Sequence, residues 1–235
     1  KDHLHLHSTD MLILFINLTA ALLWIGLLMK LDSSSNFKGD RNPYYLFFIA
    51  GIVSTAPAIL LYQMLPWFES QWKHESWMVF VNYVFITGPV EELCKFSLFF
   101  ILASKLKTIR EPRDGMLQGA SVGLGFAFTE NFLYANEYGI GVLLARSILC
   151  ISGHMIYASI WGIFSGRIIF ENKKFIKRIH YPYIAFSVII AALIHGLYNY
   201  FLSDDALILG AVMSLAINLL AIAASYNIYL KTGTE

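Results

Sequence analysis

The sequence predicts an all-α fold, a polytopic membrane bundle of about seven transmembrane helices, and three observations carry that expectation. Hydrophobic types make up 57% of the 235 residues, above the roughly 45–50% of soluble domains. Charged residues are 14%, against about 25% in soluble domains. Mean hydropathy is +0.59, and a soluble core of this size could not hide that much apolar surface. A formal net charge of +1 leaves no basic block able to track a phosphate backbone, so nucleic-acid binding is excluded. Cys94 and Cys150 both lie in apolar runs, which argues against a disulfide framework.

A helix crosses the bilayer core with about 20 mostly apolar residues. The first ten residues, with a His-Leu-His-Leu-His run before Met11, read as a tag or a disordered N-terminus, and 11–235 as one transmembrane domain. The spans then follow in order: Met11–Met29, Tyr44–Leu65, Trp77–Ser104, Met116–Tyr134, Ile140–Phe170, Tyr183–Leu202 and Ala206–Tyr229. The third and fifth runs exceed what a crossing needs, so a tilted, broken or re-entrant course is expected there. An eighth short helix could sit in the Pro66–Ser76 loop.

Lysine and arginine set the orientation. Of the 17, thirteen fall in the first, third and fifth loops and the C-terminus: Lys30, Lys38, Arg41, Lys105, Lys107, Arg110, Arg113, Arg167, Lys173, Lys174, Lys177, Arg178 and Lys231. Only Lys1 and Lys73 lie on the other side, and Lys95 and Arg146 lie within spans. This places the N-terminus outside and the C-terminus in the cytoplasm.

Inside the spans stand Glu91, Glu92, Lys95, Glu130, Arg146, His154, His195 and Asn199. An ionised side chain at mid-membrane costs roughly 2.5–3.5 kcal/mol on insertion scales. So many of them predict a polar site between helices. Lys95 follows Glu92 and Glu91 by three and four residues and pairs with either on one helix face. Arg146 reads as a packing residue. Gly88-Pro89 predicts a helix restarting at Pro89, with both glutamates in its first turn, where free N–H groups stabilise carboxylates. Neighbours diverge by about 100°, so one glutamate should face a cavity and the other a partner such as Lys95. Small residues form two rows at steps of four, Gly115-Gly119-Gly123-Ala127 and His154-Ala158-Gly162-Gly166, which predict close helix approach. Residue depths fit a cavity opening to the outside.

Two histidines with several carboxylates suit activation of water. In a metal-free arrangement a glutamate takes the proton while His195 and Asn199 stabilise the oxyanion. In a zinc arrangement two histidines and a carboxylate are ligands and another glutamate is the base. His74-Glu75 continues as Ser-Trp-Met, so no His-Glu-x-x-His motif is present, and no aspartate pair or Gly-x-Ser-Gly run lies in the spans. Cys150 is expected to be inert.

These residues form a pattern. Glu91-Glu92-Leu93-Cys94-Lys95 resembles the Glu-Glu-x-x-Lys motif of PrsW-family intramembrane proteases, relatives of the CAAX-prenyl endopeptidases. Phe126 to Glu130-Asn131 is similar to their Phe-x-x-x-Glu-Asn motif, and His154 and the His195 to Asn199 run to two later histidine motifs. The CAAX-prenyl enzymes carry histidine where Glu130 stands here.

The resemblance implies an intramembrane endopeptidase of the multi-pass bacterial plasma membrane. It would hydrolyse peptide bonds of membrane-anchored proteins, as in site-1 cleavage of an anti-sigma factor. The catalytic set would be Glu91, Glu92, His154, His195 and Asn199, supported by Lys95, Phe126, Glu130 and Asn131. The cofactor would be none, or zinc held by His154, His195 and Glu130. The alternatives are a non-catalytic membrane scaffold subunit, whose polar cluster only locks helices, and a proton-coupled transporter, which should show an internal repeat.

Overall fold

The computed structural model describes residues 8–32, 43–64, 76–171 and 181–203, with 212, 215 and 216. Nearly all of these residues are helical, with no strand among them. The helices are α1 (Ser8–Asp32), α2 (Tyr44–Met64), α3 (Ser76–Asn82), a π-helical turn (Tyr83–Thr87), α4 (Gly88–Leu106), α5 (Pro112–Tyr138), α6 (Ile140–Glu171) and α7 (Tyr181–Ser203). Helices cover six of the expected stretches. The expected seventh, apart from residues 212, 215 and 216, lies outside the described residues, as does nearly all of the Pro66–Ser76 loop. At the other end the first helix reaches back to Ser8, into the stretch read as a tag or disordered N-terminus.

Among the described residues, four helical stretches are long and apolar enough to cross a membrane: Thr9–Asp32, Tyr44–Met64, Ile140–Glu171 and Tyr181–Ser203. Helices α4 and α5 differ: α4 carries Glu91, Glu92, Lys95 and Lys105, and α5 is interior. Leu117 to Ala127 of α5 are buried without interruption, enclosed by α1, α2 and α6. A helix surrounded by other helices can be rich in glycine and polar residues. The apolar outer faces, with Phe15, Leu23 and Ile148 exposed, belong to the helices around it.

The two small-residue rows meet. A methyl group on Gly115 would strike the carbonyl of Gly162, and one on Gly123 the carbonyl of His154. On Gly119 it would lie 2.6 Å from the Ala158 oxygen. The α5 and α6 backbones therefore touch along about three turns, a contact open only to residues without large side chains. Glu111 and Asp114 form a capping box at the start of α5, with Pro112 in its first turn. At its end Gly139, with φ +89°, closes α5 through its N–H to Ala135 O. A left-handed residue here suits glycine, and α6 begins at the next residue. This one-residue turn sets the start of α6 against the end of α5.

The expected restart at Pro89 takes a different form. Pro89 does lie in the first turn of α4, and so does Glu91. The chain does not break before it, because Thr87 and Gly88 both keep right-handed helical angles. Proline has no N–H for the carbonyl four residues back. The chain absorbs this with the π turn, in which Gly88 N–H bonds Tyr83 O. Such π insertions are found at functional sites. Gly88 packs against Gly196 of α7, where an added methyl would stand 2.9 Å from the Gly196 nitrogen. This close contact brings Glu91 and Glu92 beside His195.

Candidate functional site: a buried carboxylate, lysine and histidine network

Four helices send polar groups to a common centre. Helix α4 supplies Glu91, Glu92 and Lys95, α5 supplies Glu130, α6 supplies His154 and α7 supplies His195. Lys95 lies at the hub. Its Nζ donates to Glu92 Oε1 at 2.8 Å, Glu91 Oε2 at 3.4 Å and His154 Nδ1 at 2.9 Å. The ammonium also lies 4.1 Å from the centre of the Phe126 ring, and that ring stacks on His154. All three N–H groups are satisfied and the charge is covered by an aromatic face, which is how a buried ammonium is tolerated.

The two adjacent glutamates have different surroundings, as the 100° turn between neighbours requires. Glu92 is fully buried. Its Oε1 accepts from Lys95 and from His195 Nδ1 at 2.9 Å, and its Oε2 accepts from Trp161 Nε1 at 2.9 Å. Glu91 borders a cavity of about 570 Å³. Its Oε1 accepts from the Tyr62 hydroxyl at 3.0 Å, and its Oε2 faces Lys95 and His195 Nε2, the latter at 3.6 Å.

Hydrogen-bond logic fixes the two rings. His195 Nδ1 faces a carboxylate and donates to it. Its Nε2 accepts from Asn199 Nδ2 at 3.3 Å. His154 Nδ1 accepts from Lys95, which puts the ring proton on Nε2, 2.9 Å from Glu130 Oε2. The rings meet edge to face, with centroids 4.8 Å apart, and Tyr157 stacks on His195.

The cavity is also bordered by Glu130, Asn199, Arg146, Tyr62, Tyr83 and Tyr134. Glu92, Lys95, His154 and His195 lie behind this wall, each almost or fully buried. The structure thus joins Glu91, Glu92, Lys95, Phe126, Glu130, His154, His195 and Asn199 in one network. Asn131 stands apart from the glutamate pair and enters through Arg146, whose Nε donates to Asn131 Oδ1 at 2.9 Å. Arg146 also pairs with Glu130 Oε2 at 2.8 Å.

Sequence reasoning passed over Tyr62 and Trp161, which hold one oxygen each of Glu91 and Glu92. Their signal is faint, because a tyrosine or tryptophan in an apolar span looks like any other aromatic residue. Cys150 is buried with its sulfur 3.4 Å from the Tyr198 hydroxyl.

In donor type the site suits zinc, with two imidazoles and a carboxylate. Glu91, His154 and His195 each offer a ligand atom, all within 4.8 Å of one another. This trio holds Glu91 where the sequence reading placed Glu130. Glu130 instead lies beside the Nε2 of His154 and pairs with Arg146. Both ring nitrogens of His154 are engaged, and the lone pair on Nδ1 already receives the Lys95 ammonium. A divalent ion would compete with that ammonium for the same lone pair. As packed, the residues do not fit a metal.

Comparison with known proteins points one way. The family model described as PrsW family intramembrane metalloprotease matches residues 41–225. The Protease PrsW of Shouchella clausii (strain KSM-K16) is 31% identical over 159 residues, 67% of this chain and 68% of that protein. That of Bacillus subtilis (strain 168) is 28% identical over 167 residues, 70% of this chain and 72% of the relative. That of Geobacillus kaustophilus (strain HTA426) is 33% identical over 113 residues, and the match spans about half of its length, 48%. No solved structure matches the chain.

Proposed function

The chain belongs to the PrsW family of intramembrane proteases, and from that premise we propose that Glu91 is the general base activating water against a peptide bond of a membrane-anchored protein. The observation that carries this reading is the division of labour in the glutamate pair. Glu91 borders the cavity, and Glu92 is sealed behind it by Lys95, His195 and Trp161.

In this reading the Glu91 carboxylate takes a proton from a water in the cavity, and the hydroxide attacks the scissile carbonyl carbon. The charge develops on the carbonyl oxygen. Asn199 uses one amide N–H on His195 and has a second to give. It stabilises that oxygen from the cavity wall, and His195 Nε2 holds the amide in place. Glu91 then returns its proton to the leaving nitrogen as the carbon–nitrogen bond breaks. Lys95 supplies fixed positive charge within 3.4 Å of the base. Glu92 orients His195, and His154 holds Lys95 in place.

Two cations are already in residence, Lys95 and Arg146. Glu91, Glu92 and Glu130 against Lys95 and Arg146 sum to −1 before either imidazole is counted. A zinc-dependent reading has one observation in its favour, the close approach of Glu91, His154 and His195, and it requires Lys95 to withdraw. The substrate is proposed to be a single-span protein cut on the outer side, as in site-1 cleavage of an anti-sigma factor. The cavity lies at the end of the bundle where α2 and α7 finish and α5 turns into α6. The lysine and arginine distribution assigns that end to the outside.

The test is cleavage of a co-reconstituted single-span substrate by the purified protein and by Glu91→Gln. Loss of cleavage in a folded variant is expected. Full retained cleavage removes Glu91 from the role.

A further inference from the structure

Arg146 stands outside every motif that carried the family resemblance, and the sequence marks it only as a charge within a span. In the fold it is firmly held. Its Nη2 lies 2.8 Å from Glu130 Oε2, its Nε donates to Asn131 Oδ1 at 2.9 Å, and its guanidinium lies 3.9 Å from the centre of the Tyr134 ring. Asn131 is fully buried, so this acceptor cannot swing into solvent. The Gly139 turn places Arg146 opposite Glu130 and Asn131. Two directed contacts and an aromatic face leave a planar guanidinium little freedom.

The oxygen that Arg146 grips is the one His154 uses. Glu130 Oε2 lies 2.9 Å from His154 Nε2. An acceptor at Nε2 keeps the proton there and leaves the lone pair on Nδ1. That lone pair receives Lys95 Nζ at 2.9 Å, and the same ammonium reaches Glu92 at 2.8 Å and Glu91 at 3.4 Å. The contacts therefore run without a gap from Arg146 through Glu130, His154 and Lys95 to Glu91. With the opposite tautomer, a ring N–H would face an ammonium N–H, and the ammonium would be driven from its seat.

We infer that Arg146 is a positioning residue that acts through Glu130 to fix the Nε2–H tautomer of His154 and so seat the Lys95 ammonium against Glu91. The inference rests on the reading of Glu91 as the base. Without Arg146, three carboxylates would face the single fixed cation Lys95, and Glu130 would have no charge to hold it on the ring. A purely structural Arg146 would clamp α5 to α6 and leave the His154 tautomer alone.

The experiment uses the full chain reconstituted with a single-span substrate, in four forms: wild type, Arg146→Met, Glu130→Gln and the double variant. Rates are paired with 15N spectra of histidine-labelled protein, with the His154 signal identified by its loss in His154→Gln. Removing a partner that orients a site residue through another group commonly costs about 10–100-fold in activity. A loss of that order is expected in kcat for each single variant, with KM nearly unchanged. The double variant should be no slower than the slower single one, because both break one chain. Arg146→Lys should recover part of kcat. The His154 signal should leave the pure Nε2–H form in both single variants. Penalties that multiply, or an unchanged tautomer in Arg146→Met, would overturn the inference. If Arg146→Met does not fold, Glu130→Gln decides, since an unchanged His154 tautomer there overturns it as well. Glu91→Gln serves as the control. Should it cleave normally, the base assignment fails, while the tautomer still decides the role of Arg146.

Discussion

Glu92 and His195 meet across the contact of α4 with α7, carboxylate Oε1 to ring Nδ1 at 2.9 Å. The same oxygen holds Lys95 at 2.8 Å, and the other holds the Trp161 indole. Glu92 thus sets the ring of His195 and anchors the hub lysine, while no part of it reaches the cavity.

Glu92→Gln is expected to be a stability variant first. Breaking one member of a buried pair costs about 3–5 kcal/mol, because Lys95 would lose its closest carboxylate. The melting temperature in detergent should fall clearly. An unchanged melting temperature would contradict the anchoring role.

Glu91→Gln is expected to behave in the opposite way. Its contacts to Lys95 and His195 are longer, 3.4 and 3.6 Å, and it borders the cavity. Cleavage should vanish, with a smaller fall in melting temperature than Glu92→Gln gives. The ordering of the two variants is the discriminating quantity, measured in one preparation.

Asn199→Ala should lower kcat by about 10²–10³, the usual loss for one oxyanion donor. KM should stay near the wild-type value, because the contact strengthens only as charge develops. A change confined to KM would make Asn199 a substrate-binding residue instead.

Tyr62→Phe removes the hydroxyl that reaches Glu91 Oε1 at 3.0 Å and Thr87 O at 3.3 Å. A hydrogen bond to a charged group is worth about 1.5–3 kcal/mol, so kcat/KM should drop by about tenfold or more. Steady-state kinetics on the reconstituted pair checks this, and an unaltered kcat/KM would show that Glu91 is aimed without Tyr62.

Gly123→Ala should destabilise the fold and slow cleavage together. The added methyl would meet the His154 carbonyl and lie 3.0 Å from Met155 Cα, so the histidine backbone must move. Gly26→Ala is the matched control on α1, with nothing within 4 Å of the new methyl. It should be neutral or slightly stabilising, since alanine is favoured over glycine in a helix by roughly 0.5–1 kcal/mol.

Much of this site was legible in the sequence, for a physical reason. Charges are so costly in a bilayer that Glu91, Glu92, Lys95 and Glu130 stand out among apolar neighbours. The small-residue rows were equally plain, since steps of four mark one helix face, and they meet along α5 and α6. Other features needed the third dimension. Tyr62 and Trp161 are two among 13 tyrosines and 5 tryptophans, and only the fold tells which polar tip meets a glutamate. Arg146 looked like a packing residue because its partner depends on the tight turn at Gly139. Counting residues along a helix gives depth but not direction around the axis, so Glu130 rather than Glu91 was grouped with the two histidines. Gly88-Pro89 was visible, but its consequence was a π turn in a continuous chain.

The central claim is that Glu91 activates water beside a built-in cation, Lys95. Metal content of the purified protein, measured together with cleavage before and after chelation, tests it most directly. The account predicts far less than one metal ion per chain and cleavage that survives chelation. One zinc per chain, whose removal abolishes cleavage and whose return restores it, would contradict it.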